Sequence, residues 1–466
     1  MRFLMKFGGT SVADADSVTQ VVDIVERHYL RDDEVAVVVS AQRGVTDQLI
    51  AIAEEIVNSP DTSTIGSFIH SLRVRHEKVL NQVAGDYASE ACKEMENRLA
   101  NLENILDAVH HLRELTPRSR DYIITFGERL NALVVCAAFK QRGIPSTVLD
   151  GCEAGIVTTP QHGEAMALPA SDSRIKSRLL PLLTEIVPVV MGFMGCTENG
   201  IITTLGRSGS DYSAAILGAG IDADEIWIWT DVDGIMTSDP RLIDNARVLP
   251  TISYLEVMEL SYFGAKVMHP RSIEPAMRKN ILVRVKNTFN PDHPGTCIVH
   301  HEKRDSRVVK ALTYIDKVAL VSICGAQMIG RPGVARMIFS ALAEAEVNVM
   351  MISQGSSEAN ITLIIDETQL NHAKVALTPL VKQGMVREVT TNRDVCAVAV
   401  VGCGMAGARG TGGRIFSALG DADINVMMIS QGSSEVNISF VVDQADGPKA
   451  MRTLHDEFRL SEEDDE

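Results

Sequence analysis

The segment Met5-Lys6-Phe7-Gly8-Gly9-Thr10-Ser11-Val12 (MKFGGTSV) decides how the rest of the chain is read. It closes a short run of strand character. It also precedes Asp16–Tyr29, where Val18, Val21, Val22, Val25 and Tyr29 share one helical face. Paired glycines let backbone amides approach an anion closely, and a helix entered from such a turn points unpaired N–H groups and its positive dipole end at that anion. Lys6 adds a mobile point charge, so Lys6, Gly8, Gly9, Thr10 and Ser11 read as a phosphate cradle. The spacing is neither that of a Walker P-loop nor that of the dinucleotide fingerprint. A tight strand-to-helix turn would also account for both glycines.

Downstream, Val35–Val39 is a continuous apolar run, the mark of a strand buried on both faces, and strand–helix–strand implies a parallel βαβ unit. It ends in SAQRGVTD (Ser40–Asp47), where Ser40 and Thr46 offer hydroxyls at a strand's C-terminal end; an ordinary turn capped by Thr46 or Asp47 fits equally. Residues 51–115 are helical and charge-rich, a helical insertion or lid, and Ser119–Arg142 reads as one further helix. Within that helix stands Phe126-Gly127-Glu128. An interior glycine costs about 1 kcal/mol relative to alanine, so something is expected to pass close to Gly127. Glu128 beside Arg129 would otherwise be a solvated face.

Val187–Gly192 is a buried strand entering GFMG, and Asn199-Gly200 signals a hairpin. The chain returns through GRSGSD (Gly206–Asp211), a second glycine-rich loop opening a helix, in which the planar fork of Arg207 suits a carboxylate or phosphate. The strand Glu225–Trp229 runs into TDVDGIMTSDPR (Thr230–Arg241), whose aspartates suit a nucleotide or its Mg²⁺ shell, or simply a turn at Asp233-Gly234. GAKVMHPRSI (Gly264–Ile273) carries Lys266. Lys6, Ser40, Arg207 and Thr230 thus share one edge, the C-terminal ends of strands, where open α/β sheets bind ligands.

Composition limits the possibilities. At 466 residues the chain is too long for one core, and about three domains are expected. A net charge of −17 argues against nucleic acid or membrane partners. The eight cysteines are scattered without metal spacing, so separate reduced thiols in a cytoplasmic protein are expected, with no resident metal. No apolar run approaches the ~20 residues of a membrane span, and no secretory leader precedes the first strand.

From about His301 a polar linker (HHEKRDSR) leads into a repeat. VNVMMISQGSSEANI begins at Val347 and INVMMISQGSSEVNI at Ile424; FSAL recurs at Phe339 and Phe416, and GRPG at Gly330 faces GARG at Gly407. Gly402–Gly407 also satisfies GxGxxG, with Asp421 near the distance of a ribose-binding acid. The aligned first copy lacks the middle glycine and too little chain follows for a dinucleotide domain, so the segment is assigned to a loop of the repeat. The tail SEEDDE is expected to be disordered.

Taken together, KFGGTS, SAxxGVTD, FGERL, GFxG, GRxGSD, TDVDGxxTxDPR and KVMHP stand in the order and approximate spacing of aspartate kinases, members of the amino acid kinase family, which the whole chain resembles. The repeat resembles paired ACT modules. The resemblance implies an α/β fold: a three-layer α/β/α kinase domain with a mostly parallel sheet over 1–300 (helical insertion about 51–118), then tandem α+β, ferredoxin-like ACT modules. The first, with the linker, takes 301–390; the second, with the acidic tail, takes 391–466. Val308–Ile315 is expected to supply an edge strand that the second copy lacks.

The implied activity is ATP-dependent phosphorylation of the side-chain carboxylate of L-aspartate, with Mg²⁺, at the entry to lysine, threonine and methionine biosynthesis. By motif, Lys6, Phe7, Gly8, Gly9, Ser40, Thr230, Asp231, Met236, Arg241, Lys266 and Val267 would hold the nucleotide; the family often has tyrosine at the place of Met236. Thr46, Glu128, Phe193, Arg207, Ser210 and Asp211 would surround aspartate, and Lys6, Arg207, Asp211 and Lys266 would carry the chemistry. Gly330, Asn348, Gln354, Asn360, Asn425, Gln431 and Asn437 are candidate contacts for an amino acid effector, threonine or lysine, or between modules; the Asn and Gln residues fit turn and strand-edge polar groups equally. A homodimer or homotetramer through the ACT modules is expected. A kinase of the N-acetylglutamate type and a catalytically silent amino acid sensor are the alternatives.

Overall fold

The computed structural model describes residues 1–264, 268–300, 307–325, 328–355 and 359–462. They form two compact units, the first made of Met1–Ile235, Pro250–Tyr254 and Met268–His301, the second of Met236–Leu249, Leu255–Val267 and Glu302–Glu466.

In the first unit, β1 (Arg2–Phe7), α1 (Ala15–Tyr29) and β2 (Glu34–Val39) make the expected parallel βαβ unit. The charge-rich stretch is three helices, α2 (Val45–Asn58), α3 (Ser63–Val83) and α4 (Ala88–Leu112), whose buried Ile69, Leu72, Leu99 and Leu106 join the core of the sheet. The single helix expected over 119–142 is two, α5 (Pro117–Ile124) and α6 (Phe126–Gln141), meeting at Thr125, whose hydroxyl donates to Tyr122 O at 2.7 Å. Pro117–Gln141 as a whole is long and apolar enough to cross a membrane, which corrects the expectation that no such run exists; 89% of its most apolar window is buried, the signature of a core helix.

The chain continues through β3 (Ser146–Leu149), α7 (Ala170–Leu183), β4 (Val187–Met191), the hairpin β5 (Met194–Cys196) and β6 (Ile202–Thr204), α8 (Gly209–Gly220) and β7 (Glu225–Thr230). It then forms β8 (Thr251–Ser253), α9 (Tyr254–Tyr262), α10 (Pro270–Lys279), β9 (Leu282–Asn287) and β10 (Thr296–Val299). The eight-stranded sheet has the order β3-β4-β2-β1-β7-β9-β10-β8, with only the β9–β10 pair antiparallel. Phe7 lies opposite both Val39 and Trp229, and Val39 opposite Met191, so four neighbouring strands end level. Loops leaving them emerge side by side, the condition for a ligand crevice at that edge.

Cysteine usage departs from expectation: Cys152 and Cys196 are joined, with Cα atoms 5.4 Å apart, tying the turn after β3 to β5. Their separation of 44 residues left no spacing signal.

The second unit contains β11 (Ala311–Cys324), α11 (Val334–Glu344), β12 (Val349–Gln354), β13 (Asn360–Asp366), α12 (Leu370–Lys382), β14 (Glu388–Val401), α13 (Thr411–Asp421), β15 (Met428–Gln431), β16 (Asn437–Asp443) and α14 (Gly447–Glu457). Its antiparallel sheet runs β12-β13-β11-β14-β16-β15. β11 serves both halves of the repeat: Val318–Cys324 pairs with β13, while Ala311–Ile315 pairs with Val401–Ala397 of β14. Each module therefore completes its sheet with a strand whose continuation belongs to the other.

The GxGxxG segment has a packing explanation. A Cβ on Gly402 would lie 2.4 Å from Val308 O, and one on Gly404 2.5 Å from Arg307 O, so these glycines let the incoming chain cross against them. Segment 236–249, continuous in sequence with a kinase motif, goes with the second unit, where Ile243 is buried with Leu312, Phe440 and Leu454.

Candidate active site

Four loops build the site at the level edge of the first unit. After β1, Gly8 N donates to Trp229 O at 3.1 Å, fastening the cradle to β7. A side chain on Gly8 would project to 3.4 Å from Trp229 O and 3.6 Å from Lys6 Nζ, so the missing Cβ leaves open the space an oxyanion beside Lys6 would take. Gly9 is needed for a different contact, because its Cβ would lie 2.8 Å from Ala41 O. Arg43 N also donates to Gly9 O at 3.1 Å, so the loops after β1 and β2 are bound to each other.

Two expectations about the cradle are corrected. The helix it feeds starts only at Ala15, and the Asp14 side chain already accepts from Ser17 N, so the end of α1 is satisfied by its own cap. Ser11 is fully buried, accepting from Thr288 Oγ1 at 2.7 Å and facing Trp229 O at 3.5 Å; it fastens loops to one another rather than facing solvent. Many of the other helices lack a side-chain cap, among them α2, preceded by Gly44, and α8, preceded by Ser208 in the left-handed region at φ 55°. Their first N–H groups are therefore not taken up by a side chain of the cap residue.

Lys6 Nζ and Asp211 Oδ1 form an ion pair of 2.6 Å, with about a tenth of each side chain exposed. Asp211 lies in the first turn of α8, so this pair places the GRSGSD loop over the cradle. In that loop Arg207 is exposed. Phe193, between β4 and β5, adopts φ 70°, its N–H donating to Ser213 Oγ at 3.0 Å, and Ser210 packs against Gly192 close enough to exclude any Cβ there.

Glu128 is the most unusual group. It is 3% exposed; Oε1 accepts from Ala41 N at 3.1 Å, and Oε2 has no partner among the described residues. Burial pushes its carboxyl up to about 8, only partly offset by the Ala41 amide, which favours the anion. The close passage expected at Gly127 is by the same residue: an added Cβ would lie 2.5 Å from Ala41 Cβ. Gly127→Ala should therefore push Ala41 away from Glu128, costing about 1–3 kcal/mol of stability, checked by denaturant melts.

Sequence reasoning missed Asn131, which is buried and donates through Nδ2 to Ser40 O at 2.7 Å. Its signal was a polar residue three positions after Glu128, on the same face of the helix. Thr46 is half-buried in the first turn of α2. At the end of β7, Thr230 Oγ1 donates to the exposed Asp231 at 3.2 Å. Asp233 is occupied by Asn287 (2.9 Å) and Asn290 (3.1 Å), leaving Asp231 as the more open carboxylate. Among the described residues no three His, Cys, Asp or Glu side chains cluster to hold a metal ion.

Met236 and Arg241 belong to the second unit, where Met236 bridges to Val248 and the Arg241 guanidinium grips Asp239 with Nε at 3.0 and 3.1 Å. Lys266 and Val267 lie outside the described residues. Of the effector candidates, Gly330, Asn348, Gln354, Asn360, Asn425 and Gln431 are exposed. Asn437 is buried, donating to Glu259 Oε2 at 2.9 Å and accepting from Ser439 Oγ, so it serves as an internal contact of its unit. The repeat is thus asymmetric at this matched position.

The amino acid kinase family profile matches residues 1–287, and an ACT domain profile matches 321–378 and 398–458. A bifunctional aspartokinase/homoserine dehydrogenase of Haemophilus influenzae is 33% identical over 459 residues, covering 97% of this chain and 56% of that protein. The chain thus spans little more than half of that relative. The chloroplastic aspartokinase 1 of Arabidopsis thaliana is 31% identical over 98% of this chain and 80% of its own length. Among solved structures, E. coli aspartokinase III in complex with aspartate and ADP superposes with a TM-score of 0.83 at 28% identity, covering 98% of this chain and 99% of that one. The same enzyme with lysine and aspartate gives 0.80 at 29% identity.

Proposed function

This chain belongs to the amino acid kinase family, in its aspartokinase branch, and from that premise we propose that it transfers the γ-phosphoryl group of ATP to the side-chain carboxylate of L-aspartate, giving 4-phospho-L-aspartate. The observation that carries the reading is the joining of the glycine cradle to the GRSGSD loop by Lys6 and Asp211, beside a buried carboxylate with one open oxygen.

The attacking carboxylate, of ordinary pKa about 3.9, is already ionised, so no general base is needed. Catalysis then reduces to positioning and charge. Lys6, steadied by Asp211, meets the charge spreading over the transferred phosphoryl, assisted by the cradle amides and the open end of α8. Arg207 grips the α-carboxylate and Glu128 the α-ammonium, while Phe193, Ser210 and Thr46 line the space between. Mg²⁺ would supply charge neutralisation at the phosphates, and the exposed Asp231 would help to hold it. Thr230 and Ser40 complete the nucleotide side; Met236, Arg241, Lys266 and Val267 are proposed there by motif.

Trapping the acyl phosphate with hydroxylamine tests the proposal. Hydroxamate should form only with ATP and aspartate together. Activity on N-acetylglutamate instead, or on neither substrate, would overturn it. We further propose that lysine or threonine binds at the exposed candidates of the first repeat and lowers this activity, as the asymmetry of Asn360 and Asn437 suggests. Half-exposed Ile352 on β12 and Ile429 on β15 favour assembly of the modules into a dimer or tetramer, read by sedimentation.

A further inference from the structure

We propose that Asp121 is a positioning residue that sets the distance between the two ends of the amino acid subsite; the inference rests on the functional reading above. Asp121 sits on α5 and is 1% exposed, and the donors that surround this buried carboxylate are an imidazole, a hydroxyl and backbone amides. Oδ1 accepts from Thr204 Oγ1 at 2.7 Å and Gly163 N at 3.0 Å. Oδ2 accepts from Thr204 N at 3.0 Å, Gly163 N at 3.1 Å and His162 Nδ1 at 2.7 Å. Both oxygens are thus saturated by donors from two other stretches of chain.

Those stretches lead to opposite walls of the subsite. α5 passes through Thr125 directly into α6, where Glu128 stands in the first turn to receive the ammonium. Thr204 ends β6, and its carbonyl accepts from Ala165 N at 3.0 Å; Leu205 N then donates to Phe193 O at 3.0 Å, and Arg207 follows within the same turn. Gly206, at φ 76°, fits tightly on the clamped loop, since a Cβ there would lie 2.9 Å from Gly163 O. One carboxylate therefore fixes α5, which leads into the helix carrying the anionic end of the subsite, to β6, which leads into the loop carrying the cationic end. An apolar contact would hold the same elements together but would not fix their offset, because burial is non-directional whereas five directed bonds are not.

Steady-state kinetics on the full chain test this with Asp121→Asn, Thr204→Val and His162→Gln. Asparagine keeps one acceptor but turns an amide N–H₂ toward backbone donors, so the aspartate KM should rise at least about tenfold, a misplacement effect, while the ATP KM stays within about twofold. Thr204→Val, lacking only the hydroxyl bond, should shift the aspartate KM in the same sense by less. In an Arg207→Ala background Asp121→Asn should add little further to the aspartate KM, because the end it positions is already gone. Equal rises in both KM values, or full additivity with Arg207→Ala, would assign Asp121 a general structural role and overturn the inference. If Asp121→Asn does not fold, Thr204→Val decides by the same split. A wild-type chain that makes no acyl phosphate refutes the parent reading and this one with it; an active wild type with unmoved KM values in all three variants refutes this one alone.

Discussion

Lys6→Met is expected to lower kcat by about 10²–10³-fold, the usual consequence of removing one preorganised positive group from a site of developing charge. The aspartate KM should move little, because the role proposed for Lys6 is at the phosphoryl group rather than at the amino acid. The same substitution strands Asp211, which is about a tenth exposed and loses its partner at 2.6 Å. Breaking such a pair from one side typically costs about 3 kcal/mol, so the melting temperature should fall as well. The double variant Lys6→Met, Asp211→Asn separates the effects: it should recover much of the lost stability and none of the lost turnover. Turnover restored in the double variant would show that Lys6 acts only by holding α8 in place.

Glu128 supplies the second large effect, and it depends on pH. Burial keeps its carboxyl neutral up to about 8, whereas an ammonium partner requires the anion. Below that pH aspartate binding must expel a proton, so affinity should rise by up to about tenfold per pH unit as the pH climbs toward 8, then level. Calorimetry at pH 7 in buffers of different ionisation enthalpy should register release of about one proton per aspartate bound. Glu128→Gln should raise the aspartate KM by about 10²-fold or more, having no charge to offer, and flatten the profile. The ligand-free fold carries the opposite sign. Its pKa is raised above the unfolded value, so this group's contribution is fully present below the ordinary carboxylate range and is lost as pH rises through about 8. A profile that stays steep in Glu128→Gln would move the titration to another group.

Much of the frame was legible because it rests on local pattern. The all-apolar β2, the helix face of α1, the Asn-Gly hairpin turn and the 330s and 400s repeat are properties of contiguous residues, and glycine-rich loops at strand ends announced the ligand edge. The structure adds what depends on partners distant in sequence. Gly127 was conspicuous, but that Ala41 is its neighbour could not be read from either residue. Asp121 drew no reading from the sequence, because the Gly163 and Thr204 donors that close around it are 42 and 83 residues away. The anion-binding role of α1 failed for a local reason overlooked in the sequence: Asp14 stands three residues before Ser17 and caps the helix itself.

The chain passes from one compact unit to the other at 235/236, 249/250, 254/255, 267/268 and 301/302. No single scissile point therefore separates the first unit from the second. A protease nick at the polar linker after 300 would leave 236–249 and 255–267, which belong to the second unit, covalently joined to the chain of the first. Gene fragments divided there would be expected to need co-expression to yield either half in folded form. Exchange of the effector module between relatives would have to carry those two inserted segments along, so the hybrid's junctions fall inside the kinase motifs themselves rather than in the linker that sequence inspection marks as the seam.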